Sequence, residues 1–274
     1  YLRRALSRDT VSLTETLDAD TYTTAVQLTT GAAVVRLQFA KNKVQVGHTA
    51  GEAPEVHELV IGLLGLDENA EAFSRLAKSL GLTRLVAGRE QLRISRTASV
   101  FDGLLWSIIG QQINFAFACT LRRRLVEHAG TPVADGLFAP PIPSALAALS
   151  PADLLPLQFS RQKAEYVVAT ARLITEGKLD LSSLKHLSAT RTERNLLAVR
   201  GLGPWSVNYV MMRALGFADC VPLGDTGVTS GLQSLFKLEQ RPDLDATRRL
   251  MTVFSPHRSL ATAHLWQLNQ PLAI

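Results

Sequence analysis

Apolar and polar residues alternate with a period of two in residues 23–48, as they do along strands with one buried face. In the stretch VVRLQF, Val35, Leu37 and Phe39 fall on one face, and an arginine and a glutamine fall on the other. Gly31 and the sequence KNK that follows Ala40 are typical of turns. The pattern predicts an antiparallel meander.

Helical spacing follows the meander. We predict one helix at about 55–64 and a second one after it, with Asp67 as its N-cap. These elements place residues 1–95 in a small N-terminal α+β domain. The apolar positions of the second helix are Phe73, Leu76, Ala77 and Leu80.

From about residue 98 onward the sequence shows no convincing strand. Asn114, Ser160 and Thr190 are expected helix N-caps, Gly130 ends a helix, and the proline-rich stretch 131–143 is a loop. The fold class is therefore α+β, with an N-terminal antiparallel sheet followed by an all-α bundle over residues 96–274. The predicted helices are ASVFDGLLWSIIGQQ, FAFACTLRRRLVEHAG and about 144–155, 160–176, 190–198, 205–215, 226–236, 243–254 and 257–267.

Composition narrows the classes of partner. In 274 residues, 29 Lys and Arg against 24 Asp and Glu give a net charge of +5, which suits a polyanion such as nucleic acid. Cys119 and Cys220 are too few for a disulfide framework or a four-thiolate cluster, so we expect buried, reduced thiols in a cytoplasmic protein. The most apolar stretch, 101–117, is interrupted by Asp102 and amide side chains, which excludes a membrane span there.

The sequence VRGLGPWSVNYVMMRALG, residues 199–216, breaks a helix and restarts it at Trp205. Gly201 and Gly203 allow positive φ angles and a close approach of the backbone to another molecule. Proline suits the first position of the new helix, whose unpaired N–H groups form an anion site. The pattern predicts a grip on DNA phosphate, and a plain αα-hairpin with glycine corners is the alternative.

Three motifs resemble one enzyme family. LLAVRGLGPWSVNYVMMRALG followed by CVPLGDTGV resembles the helix-hairpin-helix and Gly/Pro…Asp signature of the HhH-GPD DNA glycosylases, and within them the AlkA-type 3-methyladenine DNA glycosylase II. SIIGQQINFAFACTLRRRLVEHAG is similar to the family's GQQ helix pair, and SPHRSLATAHLW to its PWRS…LW element. The resemblance covers about 98–270, whereas the N-terminal segment matches only in position and general pattern. It implies an enzyme that flips alkylated purines, such as 3-methyladenine, out of duplex DNA and releases them by hydrolysis.

The resemblance assigns the catalytic carboxylate to Asp225, 22 positions after Gly203. Breaking the bond between base and sugar develops positive charge on the sugar, which a nearby carboxylate stabilises. A simple helix cap is the alternative for Asp225. The lysine of the family's glycosylase/lyases would fall at Trp205, and no lysine occurs between Lys185 and Lys237. We therefore expect a glycosylase without AP-lyase activity.

The resemblance also assigns the base pocket. Trp205 and Tyr209 lie one helical turn apart, and their rings suit a positively charged alkylated base. Thr226 and His257 stand at pocket positions where the family has aromatic residues, so the pocket is less aromatic here. A core role for Trp205 and a surface role for His257 are the alternatives.

Gln112 matches the side chain that fills the gap left by the flipped base, unless the two glutamines only cap a helix end. Arg122, Arg123 and Arg124 are expected on a solvated helix face rather than on DNA. The further DNA contacts are assigned to the backbone N–H groups of Gly201, Gly203 and Ser206 and to Arg258. The carbonyls assigned to a monovalent cation are those of Leu197, Val199 and Leu202.

Beyond that cation, no cofactor and no iron–sulfur cluster are expected. The expected partner is double-stranded DNA with damaged bases, bound by a monomer in the cytoplasm at the bacterial nucleoid, without a membrane. Because the chain begins with Tyr1 rather than Met, we expect residues before it. A non-enzymatic helix-hairpin-helix DNA-binding module, and a glycosylase for oxidised or deaminated bases, are the alternative functions.

Overall fold

The N-terminal part of the computed structural model, which describes residues 2–269, is a four-stranded antiparallel sheet in the order β1-β2-β3-β4. The predicted meander is confirmed, and one additional strand precedes it. Tight connections such as the turn at Gly31, where φ is +118°, join neighbouring strands. The strands are β1 (Glu15–Asp18), β2 (Thr21–Leu28), β3 (Gly31–Phe39) and β4 (Val44–His48).

One face of this sheet is buried, as the period-two pattern predicts. Val35 and Leu37 are fully buried and Phe39 half-buried, whereas Arg36 and Gln38 are exposed. The first long helix packs its apolar stripe against this face, because burying both apolar surfaces together removes them from water. The residues of this smaller core include Tyr22, Val26, Val35, Leu37, Val56, Val60 and Leu64.

Helices form most of the remaining chain. The early ones are α1 (Leu2–Leu6), α2 (Ala53–Leu64), α3 (Ala70–Ser79), α4 (Thr83–Val86), α5 (Val100–Ile109) and α6 (Phe115–Ala129). The middle ones are α7 (Pro143–Ala147), α8 (Pro151–Leu154), α9 (Arg161–Thr175), α10 (Leu181–Leu184) and α11 (Ala189–Leu197). The last ones are α12 (Pro204–Arg213), α13 (Thr226–Phe236), α14 (Leu244–Met251) and α15 (Arg258–Leu268).

Two details of the helical part differ from the prediction. A pair of two-residue strands, β5 (Thr131–Pro132) and β6 (Phe138–Ala139), stands where no strand was expected. The predicted helix at 144–155 is divided into α7 and α8, because Ser150 forms a capping box with Asp153 and starts a new helix.

Helix caps follow the sequence in part. Asn114 and Ser160 cap α6 and α9 as predicted. The predictions for Asp67 and Thr190 are wrong. Asn69 caps α3, since its side chain accepts from Ala72 N at 2.9 Å, whereas Asp67 accepts hydrogen bonds from Arg96 at 2.7 Å. Ser188 caps α11, two residues before Thr190.

The larger core spans the predicted domain boundary at 95/96. Phe73 and Leu85, from the first region, share it with Phe254 and Leu265 of the last helices. The division into 1–95 and 96–274 therefore stays a prediction, and residues 1 and 270–274 lie outside the described part of the chain.

Arg122 does not lie on a solvated face, which corrects the prediction for that residue. Its side chain is 7% exposed and donates to Asp102 at 3.0 Å and to Thr14 at 3.0 Å. A buried guanidinium requires such partners, because desolvation of an unpaired charge is costly. Arg123 is exposed, as predicted, and Arg124 is half-buried.

Both cysteines are buried and free, as expected. Burial raises the pKa of the Cys119 and Cys220 thiols to about 12. Within residues 2–269, the helices are too short or too polar for any of them to cross a bilayer.

Candidate active site

The break between α11 and α12 is a tight hairpin. Gly201 has φ of +96°, and a Cβ at this position would lie 2.4 Å from Cγ of Tyr166. Both facts require glycine there. Gly203 has extended backbone and open space around it, and Pro204 occupies the first position of α12 as predicted.

Backbone N–H groups gather at the start of α12. The first bond of the helix is donated by Val207 N to Gly203 O at 3.0 Å, so the N–H groups of Trp205 and Ser206 precede the intrahelical ladder. Together with the helix dipole they make this end attractive to an anion. The geometry can therefore hold a phosphate.

The carbonyls assigned to a monovalent cation lie in and beside the same turn. Leu202 N donates to Val199 O at 3.1 Å, which closes the turn and occupies one lone pair of that oxygen. Carbonyl oxygens are suitable ligands for a hard cation. The cation site at Leu197, Val199 and Leu202 stays a prediction. Among the residues that the structure describes, no three His, Cys, Asp or Glu side chains gather as metal ligands.

Gln111 ties the loop between α5 and α6 to the hairpin. Its Nε2 donates to Gly201 O at 2.8 Å and to Ser206 Oγ at 3.0 Å. The sequence analysis treated Gln111 together with Gln112 and did not predict this contact. The GQQ motif, which contains both residues, was the only signal in the sequence that pointed to Gln111.

Lys163 supports the same loop from α9. Its Nζ donates to Ile109 O at 2.7 Å and to Gln111 O at 2.6 Å, with a third bond to Ile108 O at 3.2 Å. Burial lowers the pKa of Lys163 to about 8. No sequence pattern pointed to this lysine, since 52 residues separate it from Gln111.

Gln112 lies at the tip of the loop, exposed, with a left-handed φ of +56°. A non-glycine residue rarely adopts this conformation, which turns the chain sharply before Asn114 begins α6. The two neighbouring glutamines therefore point in different directions: Gln112 faces solvent, and Gln111 faces the hairpin. The structure leaves Gln112 free to reach a bound molecule.

Asp225 is the N-cap of α13. Its Oδ1 accepts hydrogen bonds from Val228 N at 3.0 Å and from Trp266 Nε1 at 2.9 Å. Its Oδ2 accepts from Trp205 Nε1 at 3.0 Å. The carboxylate is half-buried, so both oxygens are held by donors while the group keeps contact with solvent. These three hydrogen bonds fix the orientation of the negatively charged Asp225 carboxylate beside α12.

Trp266, on α15, is a site residue that the sequence reasoning missed. It comes within reach of Asp225 because position 227 is glycine: a Cβ on Gly227 would lie 2.7 Å from Cδ1 of Trp266. The signal was present in the LW of SPHRSLATAHLW, whose tryptophan was not assigned a role.

Trp205 and Tyr209 share a face of α12, as their spacing predicts. Their rings are stacked with centroids 5.3 Å apart and an interplanar angle of 20°. Both are half-buried. An aromatic stack therefore extends from the Trp205 ring, whose N–H binds Asp225, to Tyr209, and a stack beside a carboxylate attracts a planar cationic group.

The other predicted site residues are less tightly connected. Thr226 is exposed at the start of α13, beside Asp225. His257 is half-buried and precedes α15. Arg258 donates to Asp219 at 2.7 and 2.8 Å, so its guanidinium is already paired within the chain. Pocket roles for Thr226 and His257, and a DNA contact for Arg258, stay predictions.

Comparisons with known proteins point to one family. Residues 105–256 match the model of the HhH-GPD superfamily base excision DNA repair proteins. A DNA-3-methyladenine glycosylase of Bacillus subtilis is 31% identical over 207 residues, which cover 74% of this chain and 68% of that protein. A putative DNA-3-methyladenine glycosylase of the same organism is 38% identical over 62% of this chain, which spans 58% of that relative's length.

The fold has a solved counterpart. A 3-methyladenine DNA-glycosylase from Archaeoglobus fulgidus superposes with a TM-score of 0.84 at 23% identity, covering 97% of this chain and 93% of that one. The similarity extends over the N-terminal sheet, where the sequence resemblance was weakest, and it establishes the arrangement of both parts of the fold.

Proposed function

This chain belongs to the HhH-GPD superfamily of base excision DNA repair proteins, and we propose that it is a monofunctional DNA glycosylase that releases alkylated purines. The hairpin, the exposed Gln112 and the net charge of +5 favour duplex DNA as the partner. The assignment to alkylated bases rests on the aromatic pair beside the carboxylate and on the names of the relatives.

The observation that carries the proposal is the environment of Asp225. Two indole N–H groups and one backbone N–H hold its oxygens, so the negative charge is fixed in place before the reaction begins. When the N-glycosidic bond breaks, its electron pair leaves with the base and positive charge develops on the sugar. A preorganised carboxylate lowers the energy of that state, because it need not reorient. Water then adds to C1′ and loses a proton.

The aromatic rings suit the leaving group. An alkylated purine carries positive charge, which the faces of Trp205 and Tyr209 attract. Such a base also departs without protonation, so a general acid is not required. An unmodified base lacks both advantages, and the site therefore discriminates against normal DNA.

DNA would be held at two points. The N–H groups at the start of α12 would bind a phosphate near the damaged nucleotide. Gln112 would enter the space that the flipped base leaves and would hydrogen-bond to the opposite base. Gln111 and Lys163 keep these two elements in a fixed relation, since Gln111 ties the loop that carries Gln112 to the hairpin and Lys163 binds the same loop from α9.

The absence of lyase activity is argued from the occupant of the lysine position. Trp205 stands there, and its N–H serves Asp225. Lys163 contacts the neighbouring loop, and its Nζ donates to three carbonyls, which occupies its protons. A Schiff base needs a free amine.

The test is incubation with duplex DNA treated with a methylating agent, followed by chromatography of the released bases. Wild type should release methylated purines and leave intact abasic strands, and borohydride should trap no covalent adduct. Asp225→Asn should bind the duplex as well or better and release no base, because the amide cannot offset the sugar's charge. Release by Asp225→Asn at the wild-type rate would remove the catalytic assignment. Binding without release by either protein would indicate a DNA-binding module instead.

A further inference from the structure

A cavity of about 80 Å³ lies between the N-terminal segment and helices α5, α6 and α12. This volume is several times the roughly 10–15 Å³ that one water molecule needs. Four aromatic side chains line it, Tyr22, Trp106, Phe115 and Tyr209, together with charged side chains, among them Asp9 and Arg122. The cavity thus combines aromatic walls with a charged region.

The cavity adjoins the site around Asp225. Tyr209 lines the cavity and also stacks on Trp205, whose indole N–H donates to Asp225. Trp106 and Phe115 form a second stacked pair in the wall, with centroids 5.9 Å apart. The Arg122 guanidinium lies over the Trp106 ring, 5.1 Å from its centroid, so a planar ring that enters beside Tyr209 meets aromatic surface next to the charged side chains.

Two complementary polar atoms in this charged region lack partners. Asp9 is 8% exposed and Arg122 is 6% exposed. Asp9 Oδ2 and Arg122 Nε have no hydrogen-bond partner among the described residues. Buried polar atoms are rarely left unpaired, because each one forgoes the hydrogen bonds that water would supply. A ligand that presents a donor to Asp9 Oδ2 and an acceptor to Arg122 Nε would satisfy both atoms.

The rest of each side chain is fixed. Asp9 Oδ1 accepts from Val11 N at 3.1 Å, and the Cys119 thiol adjoins the carboxylate, whose charge adds to burial in raising the pKa of that thiol. The other two guanidinium nitrogens of Arg122 donate to Thr14 and Asp102. These contacts hold both side chains in place and leave Asp9 Oδ2 and Arg122 Nε without hydrogen bonds.

We propose that Asp9 and Arg122 read the edge of the flipped purine and select alkylated adenine over alkylated guanine. Adenine presents an N6 amino donor beside the N7 acceptor. The amino group would donate to Asp9 Oδ2, and Arg122 Nε would donate to N7. Alkylation at N3 leaves this edge intact. The inference deepens the proposed function and rests on it.

Guanine fits the same pair poorly. It presents O6 beside N7, and both are acceptors, so the Asp9 carboxylate would face a lone pair. Sites built around a hydrogen bond discriminate strongly against analogues that leave a buried group unpaired. The N-terminal segment, which contributes Asp9, would then determine which damaged purine the helical part releases.

The experiment measures single-turnover release of 3-methyladenine and 3-methylguanine, which both keep N7 free, from the same methylated duplex by the full chain. Asp9→Asn should lower release of 3-methyladenine about tenfold or more relative to 3-methylguanine, because its amide can donate to O6 but opposes the N6 amino group. The matched control is Asp18→Asn, an exposed acid on β1, which should keep the wild-type ratio. A merely structural role of Asp9 would lower both rates alike, and an equal change, or no change, would overturn the inference.

A second measurement does not depend on the variant's folding. Free 3-methyladenine should quench the tryptophan fluorescence of the wild type at lower concentration than free 3-methylguanine. Equal binding of the two bases would contradict the selection. Failure of the wild type to release any base would instead refute the proposed function, so the two failures are distinguishable.

Discussion

Trp266 donates its indole N–H to Asp225 Oδ1 at 2.9 Å, although 41 residues separate them in the chain. The bond links α15 to the N-terminus of α13 and leaves Oδ2 to the indole of Trp205. The carboxylate is therefore positioned by residues from two helices besides its own. Its orientation depends on the packing of the bundle.

Trp266→Phe should test this positioning. Phenylalanine keeps an aromatic ring but removes the N–H, and a hydrogen bond to a charged group contributes about 1.5–3 kcal/mol. If this contribution is made in the transition state and not in the ground state, base release under single-turnover conditions should fall about tenfold or more. DNA affinity, measured by fluorescence anisotropy, should not change. An unaltered release rate would show that the indole only packs against α13.

The two hairpin glycines should respond differently to alanine. Gly201→Ala places a Cβ 2.4 Å from the Tyr166 ring at φ of +96°, so the hairpin must shift. We expect lower thermal stability and a loss of DNA affinity. Gly203→Ala is the matched control, because its backbone is extended and its surroundings are open. A comparable loss of thermal stability in both variants would contradict the steric argument.

Gln111 and Gln112 offer a second matched pair. Gln111→Ala removes two hydrogen bonds to the hairpin and should lower the free energy of unfolding by about 1–2 kcal/mol. Gln112→Ala changes an exposed side chain, so its melting temperature should stay at the wild-type value. It should nevertheless release bases more slowly from duplex DNA, with a smaller effect on single-stranded DNA. Equal effects on both substrates would argue against gap filling.

His264 should make stability depend on pH. Burial lowers its pKa from the ordinary 6.5 to about 4, and the ring packs against Phe73 in a tilted arrangement with centroids 4.9 Å apart. The unfolded chain therefore takes up this proton at higher pH than the folded one. The neutral His264 therefore contributes about 3 kcal/mol to the free energy of unfolding above about pH 6.5, and this contribution is lost as the pH falls towards 4.

Denaturant unfolding of wild type and His264→Asn between pH 4 and 7 measures this contribution. The asparagine amide can replace the donor that His264 Nδ1 offers to Leu85 O. Glu68 titrates in the same window with the opposite slope, since burial raises its pKa to about 7, so the difference between the two proteins is the informative quantity. A constant difference across this range would show that His264 does not titrate as expected.

Local pattern determined much of this protein. The alternation around Val35 and Leu37 gave the sheet and its buried face, because strand side chains alternate between two sides. Gly201 and Pro204 marked the hairpin, since few residues tolerate those backbone positions. Asp225 preceded an apolar helix and caps it. These features depend on neighbours within a few residues, which a sequence displays directly.

Tertiary packing decided the rest. The bonds of Gln111 to Gly201 and of Trp266 to Asp225 span 90 and 41 residues, and no local period records them. Arg122 looked like a surface residue in a basic run, yet it is buried because Asp102 and Thr14 meet it from other elements. The cavity near Asp9 exists only where the N-terminal segment meets the helices. Short-range spacing fixes which elements form, whereas the burial and pairing of side chains depend on which surfaces those elements bring together.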